Sequence, residues 1–397
     1  MTRKPLRGAV GAALIACIVP GFGLAPGFAS ADVPEAIHQE LVRIGQIVDP
    51  ACTAKLYRPL MPASDYNTWW PPGAAAPDAS KAKLYPGVAI VRDQKFGPHD
   101  KDLVDIFSPE AGGRNLPVFI WVPGGGGNKI EQQVREANAF YDNIGRWGAK
   151  NGFVVVTVQR HPGQQWDDAG RDIAAAVDWV KANIARYGGD GSRIVMGAHS
   201  AGTGPTGVYV GHPERWPNGV QIKGMVYMSG GPIPTILGPQ GAGPGNAAAP
   251  GANRPGQACG VNAAMTATDG AIMGPSRANP PPPGAPAGPP PGGAAQLTPE
   301  QRAERDNLPG FLKTNVKLML VRAELDPNVK GDMTPADKAI HDRLCASVGP
   351  TAKDGEGRCP TMLYARRHSH MSEVFAFDSP DTSVSDPILA FARNAVR

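Results

Sequence analysis

A doubly wound α/β sheet is the fold class this sequence predicts, and three observations predict it. From residue 85 onward, short runs rich in Val, Ile and aromatics alternate with segments of helical period. Several runs, such as Val118-Phe119-Ile120-Trp121-Val122, are apolar at every position, as strands buried on both faces require. The chain shows no internal repeat, and its glycines have no period of three, which excludes collagen. A mostly parallel sheet with right-handed crossovers follows.

Taken in order, Val88–Val91 and Leu103–Phe107 read as short strands, and Val118–Val122 as a third that runs into glycines. A polar segment of helical period spans roughly 130–150, and Phe153–Val158 is again nearly all apolar. Ile173, Ala176, Val177, Val180 and Ile184 keep one helix face apolar, and Gly188-Gly189 supplies the stop. Arg193–Met196, Gly224–Met228, Lys317–Val321 and Met362–Ala365 complete the strands, with helices at 334–347 and 385–396.

The chain has 397 residues, enough for one large domain or two ordinary ones. Its 50 Gly and 42 Pro are not spread evenly. Residues 238–293 hold 26 of them in 56 positions, with only Arg254, Asp269 and Arg277 charged. This tract is too poor in large apolar residues to fold alone. It reads as an insertion over 238–300 between late strands, either a disordered loop or a lid above the sheet. The expected organisation is a signal peptide at 1–31, an N-terminal extension at 32–84 that packs on the core or the site, and the α/β domain at 85–397.

Of the net charge of +4, Arg3, Lys4 and Arg7 contribute +3, which leaves the rest of the chain near neutral. Arg366-Arg367 is only a doublet, so a nucleic-acid partner has no electrostatic support. The same three residues open an export signal: apolar Gly8–Phe28 follows, then Ala29-Ser30-Ala31, with cleavage expected after Ala31. A periplasmic or secreted protein is the expectation; the alternative is a lipoprotein through Leu14-Ile15-Ala16-Cys17. Beyond the N-terminus no apolar run is long enough to span a bilayer. Cys52, Cys259, Cys345 and Cys359 then permit two disulfides; Cys345–Cys359, around a short polar loop, is the first choice and Cys52–Cys259 the remainder. No pair has zinc spacing, so no metal and no cofactor is expected.

The chemistry concentrates after the strands. Ala198-His199-Ser200-Ala201-Gly202 follows one strand and precedes a helix, the context of an exposed serine on a sharp turn. Small residues two before and two after the serine fit where the turn meets neighbouring backbone. Lys317–Val321 ends in Arg322-Ala323-Glu324-Leu325-Asp326, which offers a carboxylate, and Arg367-His368-Ser369-His370 follows the last strand. Serine, acid, histidine is a chain order that supports nucleophilic catalysis. Glu324 competes with Asp326 for the acid, and His368 with His370 for the base. His368 with His370 could alternatively ligate a metal, but no HExxH or carboxylate cluster accompanies them. Pro123-Gly124-Gly125-Gly126-Gly127 follows the third strand, where glycines let backbone N–H groups approach a developing oxyanion. His199, Asp172 and the remaining histidines are assigned structural roles.

From about Pro117 to Phe377 the chain resembles the α/β-hydrolase superfamily, in its carboxylesterase and hormone-sensitive-lipase-like branch. Six motifs in register carry the resemblance: Phe140–Gly145, Asn151–Val156, Tyr187-Gly188-Gly189-Asp190, His199–Gly202, Glu324-Leu325-Asp326-Pro327 and His370-Met371-Ser372-Glu373. It implies Ser200 as nucleophile, His370 as base and Asp326 as acid, with the N–H groups of Ala201, Gly125 and Gly126 as oxyanion hole. Pro123 stands where the family has the histidine of His-Gly-Gly-Gly, and a proline cannot donate. His161-Pro162 stands where a Tyr-Arg-Leu sequence is common. The implied activity is hydrolysis of a small-molecule or polymeric ester through an acyl-enzyme. An amidase, peptidase or formamidase would use the same residues, and a non-catalytic binding protein on this scaffold is the third reading.

Overall fold

The computed structural model describes residues 32–44, 53, 56–57, 60, 85–125, 127, 129, 141–160, 166–230, 298–326 and 335–397. Its strands are β1 (Val88–Lys95), β2 (Leu103–Pro109), β3 (Leu116–Val122), β4 (Val154–Val158), β5 (Gly189–His199), β6 (Gly224–Met228), β7 (Lys317–Ala323) and β8 (Thr361–Ala365). They form one sheet in the order β1-β2-β4-β3-β5-β6-β7-β8. Pairings from β4 across to β8 are parallel, whereas β1–β2 and β2–β4 are antiparallel. The doubly wound, mostly parallel α/β sheet read from the sequence is the architecture observed.

The helices are α1 (Glu35–Ile44), α2 (Asp142–Lys150), α3 (Trp166–Asn183), α4 (Thr203–Gly211), α5 (Pro299–Glu304), α6 (Leu308–Lys313), α7 (Pro335–Val348), α8 (Ser372–Phe375) and α9 (Ser385–Ala395). Side chains along β3 alternate between two cores, which is why its whole run is apolar. Phe119 and Trp121 join Ile144 and Trp147 of α2 and Ile388 and Phe391 of α9. Val118, Ile120 and Val122 join Ile173, Val177 and Val180 of α3 and Ile340 and Leu344 of α7. Each such side chain contributes about 1.5–3 kcal/mol when fully buried. The α3 helix tightens into a 3-10 turn, Ile184–Tyr187, and ends at Gly188 with φ +87°, the left-handed stop that glycine takes without a Cβ clash.

The differences from the sequence reading have local causes. β1 continues past Val91 through Arg92-Asp93-Gln94-Lys95, since polar side chains are tolerated on an edge strand. β5 begins four residues before Arg193; Asp190 accepts from the Ser192 N–H and so steadies its polar start. Of the helix expected over 130–150, Asp142–Lys150 is described, and most of its first part lies outside the described residues. Cys345 and Cys359 form the expected disulfide between α7 and the approach to β8. Cys52, Cys259, residues 1–31 expected as a signal peptide and most of the tract 238–300 expected as an insertion lie outside the described residues. Buried Arg322 of β7 donates from Nε and Nη2 to Asp337 of α7, both at 2.6 Å, and pins that helix to the sheet.

Candidate active site

Ser200 follows directly on β5 and has φ +52°, a left-handed backbone that a non-glycine residue adopts only under constraint. The turn Ser200–Gly202 then opens into α4. A Cβ on Gly202 would lie 2.5 Å from the Val122 carbonyl oxygen and 2.6 Å from that of Pro123. Glycine is therefore the residue this crossing admits. At the other side of the serine, Ala198 is fully buried in the sheet, where a methyl group fits.

The loop after β3 presses on the same turn. A Cβ on Gly124 would stand 2.9 Å from Ser200 Cβ and 3.0 Å from the His199 carbonyl oxygen. The Gly124 N–H donates to Tyr141 Oη at 3.0 Å, so this N–H is already engaged. Gly125, at φ +51°, is the described member of the two expected donor glycines. Gly126 lies outside the described residues. Ala201 is the second residue of the turn Ser200–Gly202, in the first turn of a helical segment where backbone N–H groups have no intrahelical partner.

Asp326 and His370 come from the ends of β7 and β8. The Asp326 carboxylate Oδ2 lies 2.8 Å from His370 Nδ1, and both residues are buried. The alternatives are turned to other partners. Glu324 Oε2 accepts the Arg367 backbone N–H at 2.6 Å and stitches the two loops together. Leu325 N–H donates to the His368 carbonyl at 2.8 Å. The His368 ring sits between Ser372 Oγ at 3.0 Å and Ser383 Oγ at 2.8 Å, and burial lowers its pKa. Of the competing pairs, the structure brings Asp326 and His370 together.

His199, read from sequence as structural, belongs to this cluster. Its Nε2 donates to the His370 carbonyl at 2.8 Å, and its ring centroid is 4.6 Å from that of His370. Burial holds its pKa down at about 4, so the ring is neutral near pH 7. Beside it, Glu373 Oε1 lies 3.4 Å from His199 Nε2 with neither carboxyl oxygen exposed. Burial pushes Glu373 up to about 8. Glu373 directly precedes the apolar run Val374-Phe375-Ala376-Phe377, a weak sequence signal of its burial.

Among the described residues the one grouping with metal-ligand chemistry is His341, Cys345 and Cys359. Both its sulfurs are engaged in the disulfide, so no thiolate is offered. Also among the described residues, no helix is long and apolar enough to cross a membrane.

Two family models match the chain: BD-FAE over residues 104–205 and the carboxylesterase family over residues 169–254. Liver carboxylesterase 1F of Rattus norvegicus is 27% identical over 198 residues, 44% of this chain and 34% of that protein. Secreted lipase 5 of Gibberella zeae is 30% identical over 151 residues, 32% of this chain and 26% of that protein. Esterase LipQ of Mycobacterium tuberculosis is 32% identical over 149 residues, 34% of each. The matches thus span about a quarter to a third of the length of these relatives. The matched segments carry the strand, turn and helix around Ser200, set in a mostly parallel sheet. Over the matched segments the chain is similar to carboxylesterase-like α/β-hydrolases.

Proposed function

We propose that this protein is an exported serine hydrolase that cleaves carboxylic esters through an acyl-enzyme. The observation that carries the reading is the constrained backbone of Ser200 at the strand ends from which the 2.8 Å His370–Asp326 contact also comes. In the proposed reaction, Ser200 Oγ attacks the ester carbonyl while His370 Nε2 takes its proton. Asp326 accepts from His370 Nδ1–H, which leaves Nε2 free to act as base and stabilises the imidazolium. The N–H groups of Ala201, Gly125 and Gly126 receive the negative charge on the carbonyl oxygen. His370 then protonates the departing alcohol, and water repeats the sequence to release the acid. The esterase and lipase names of the relatives support an ester rather than another acyl group. Export rests on the basic, apolar and small-residue series from Arg3 to Ala31.

The test is hydrolysis of short and long p-nitrophenyl esters by the wild type and by Ser200→Ala. Loss on the order of 10⁴-fold is expected, because the three side chains act as a unit. A variant that keeps most of its activity overturns the assignment.

A further inference from the structure

Arg160 stands two residues beyond β4, and the reaction as proposed leaves it without a role. Its guanidinium is directed into the glycine loop. Nε donates to the Pro123 carbonyl at 2.9 Å, and Nη2 donates to the carbonyls of Gly124 at 3.2 Å and Gly125 at 3.0 Å. The Arg160 backbone N–H donates to the Gly127 carbonyl at 2.7 Å, and the Gly127 N–H closes a turn on the Gly124 carbonyl at 3.0 Å. Gly127 has φ +81°, and a Cβ there would lie 2.7 Å from Arg160 Cβ. One side chain therefore gathers three consecutive carbonyl oxygens, and the loop is shaped to its stem.

In a planar trans peptide the carbonyl of one residue and the N–H of the next point in opposite directions. Fixing the Pro123 carbonyl thus fixes the Gly124 N–H, which is found on Tyr141 Oη. Fixing the Gly124 carbonyl aims the Gly125 N–H away from the guanidinium. The loop lies against Ser200 through Gly124. A cation bonded to a peptide oxygen also polarises that peptide, so its N–H becomes a stronger donor. Pro123 gives the loop a fixed φ at its start but no N–H of its own.

We propose that Arg160 is a positioning residue that sets the direction and donor strength of the oxyanion-loop N–H groups by holding the carbonyls of Pro123, Gly124 and Gly125. The proposal rests on the serine-hydrolase reading above. It separates from it because Arg160 touches neither Ser200 nor its proton relay.

The experiment compares Arg160→Lys, Arg160→Met and Arg160→Ala with the wild type on p-nitrophenyl butyrate, with melting temperature and inhibition by an alkyl boronic acid measured alongside. Loss of one well-aimed oxyanion donor costs about 10²–10³ in kcat. A fall of about that size is expected in Arg160→Met and Arg160→Ala, with KM within about twofold and boronic acid affinity falling in parallel. Arg160→Lys, with one donor centre in place of the fork, should lose about tenfold. Millimolar ethylguanidinium should restore Arg160→Ala at least tenfold and leave Ser200→Ala unchanged. If the wild type is active and the variants keep kcat within about threefold, the Arg160 assignment falls and the hydrolase reading stands. It falls equally if kcat drops only together with the melting temperature and no guanidinium rescue occurs. A wild type whose ester hydrolysis survives Ser200→Ala overturns both.

Discussion

Replacing Glu373 by glutamine keeps the shape of the buried acid and removes its titration, and the structure fixes what should follow. Burial raises Glu373 from 4.5 to about 8 and lowers His199 from 6.5 to about 4. Between pH 4.5 and 8 the folded chain keeps the Glu373 proton that the unfolded chain has released, so stability falls as pH rises. Between pH 4 and 6.5 the unfolded chain binds a proton on His199 that the folded chain refuses, so stability rises. The two slopes offset each other from pH 4.5 to 6.5 and leave Glu373 alone from 6.5 to 8. At about 1.4 kcal/mol per pH unit, that interval is worth about 2 kcal/mol. Urea unfolding of wild type and Glu373→Gln at pH 6.5 and at pH 8 measures it directly, because all other titrations are common to both proteins. The variant should gain about 2 kcal/mol on the wild type across that interval. A difference between the two proteins that does not change with pH refutes the buried, protonated Glu373.

Asp337→Ala leaves the Arg322 guanidinium buried without its bidentate partner, and should cost about 3–5 kcal/mol in denaturant unfolding. Asp326→Asn removes the charge that orients His370; kcat should fall about 10⁴-fold with the melting temperature nearly unchanged. Reducing Cys345–Cys359, separated by 14 residues, should lower stability by about 3 kcal/mol without abolishing ester hydrolysis. If the protein is exported as proposed, N-terminal sequencing of its mature form should begin at Asp32, as the Ala29-Ser30-Ala31 exit implies.

The sheet was legible because a strand buried on both faces has no polar positions, and Val118–Val122 and Gly224–Met228 show that pattern without interruption. The polar ends of β1 and β5 were not, since an edge and a turn tolerate the residues that a central strand refuses. At the candidate site, chain order singles out Ser200, Asp326 and His370, and the structure sets each beyond a strand end. His199, Glu373 and Arg160 were not legible, for a common reason. Their surroundings come from carbonyl oxygens and from burial contributed by segments far away in sequence, such as His370 on His199 and Pro123 on Arg160. Sequence spacing carries side-chain identities but does not show where a backbone oxygen will point.

The central claim is that Ser200 is a nucleophile activated by His370 and Asp326, and fluorophosphonate labelling of the intact protein tests it most directly. One adduct per chain is predicted, mapped by peptide mass to Ser200 and lost in Ser200→Ala, with labelling slowed strongly in Asp326→Asn. No adduct, or an adduct on another residue at the same rate in Ser200→Ala, would contradict it.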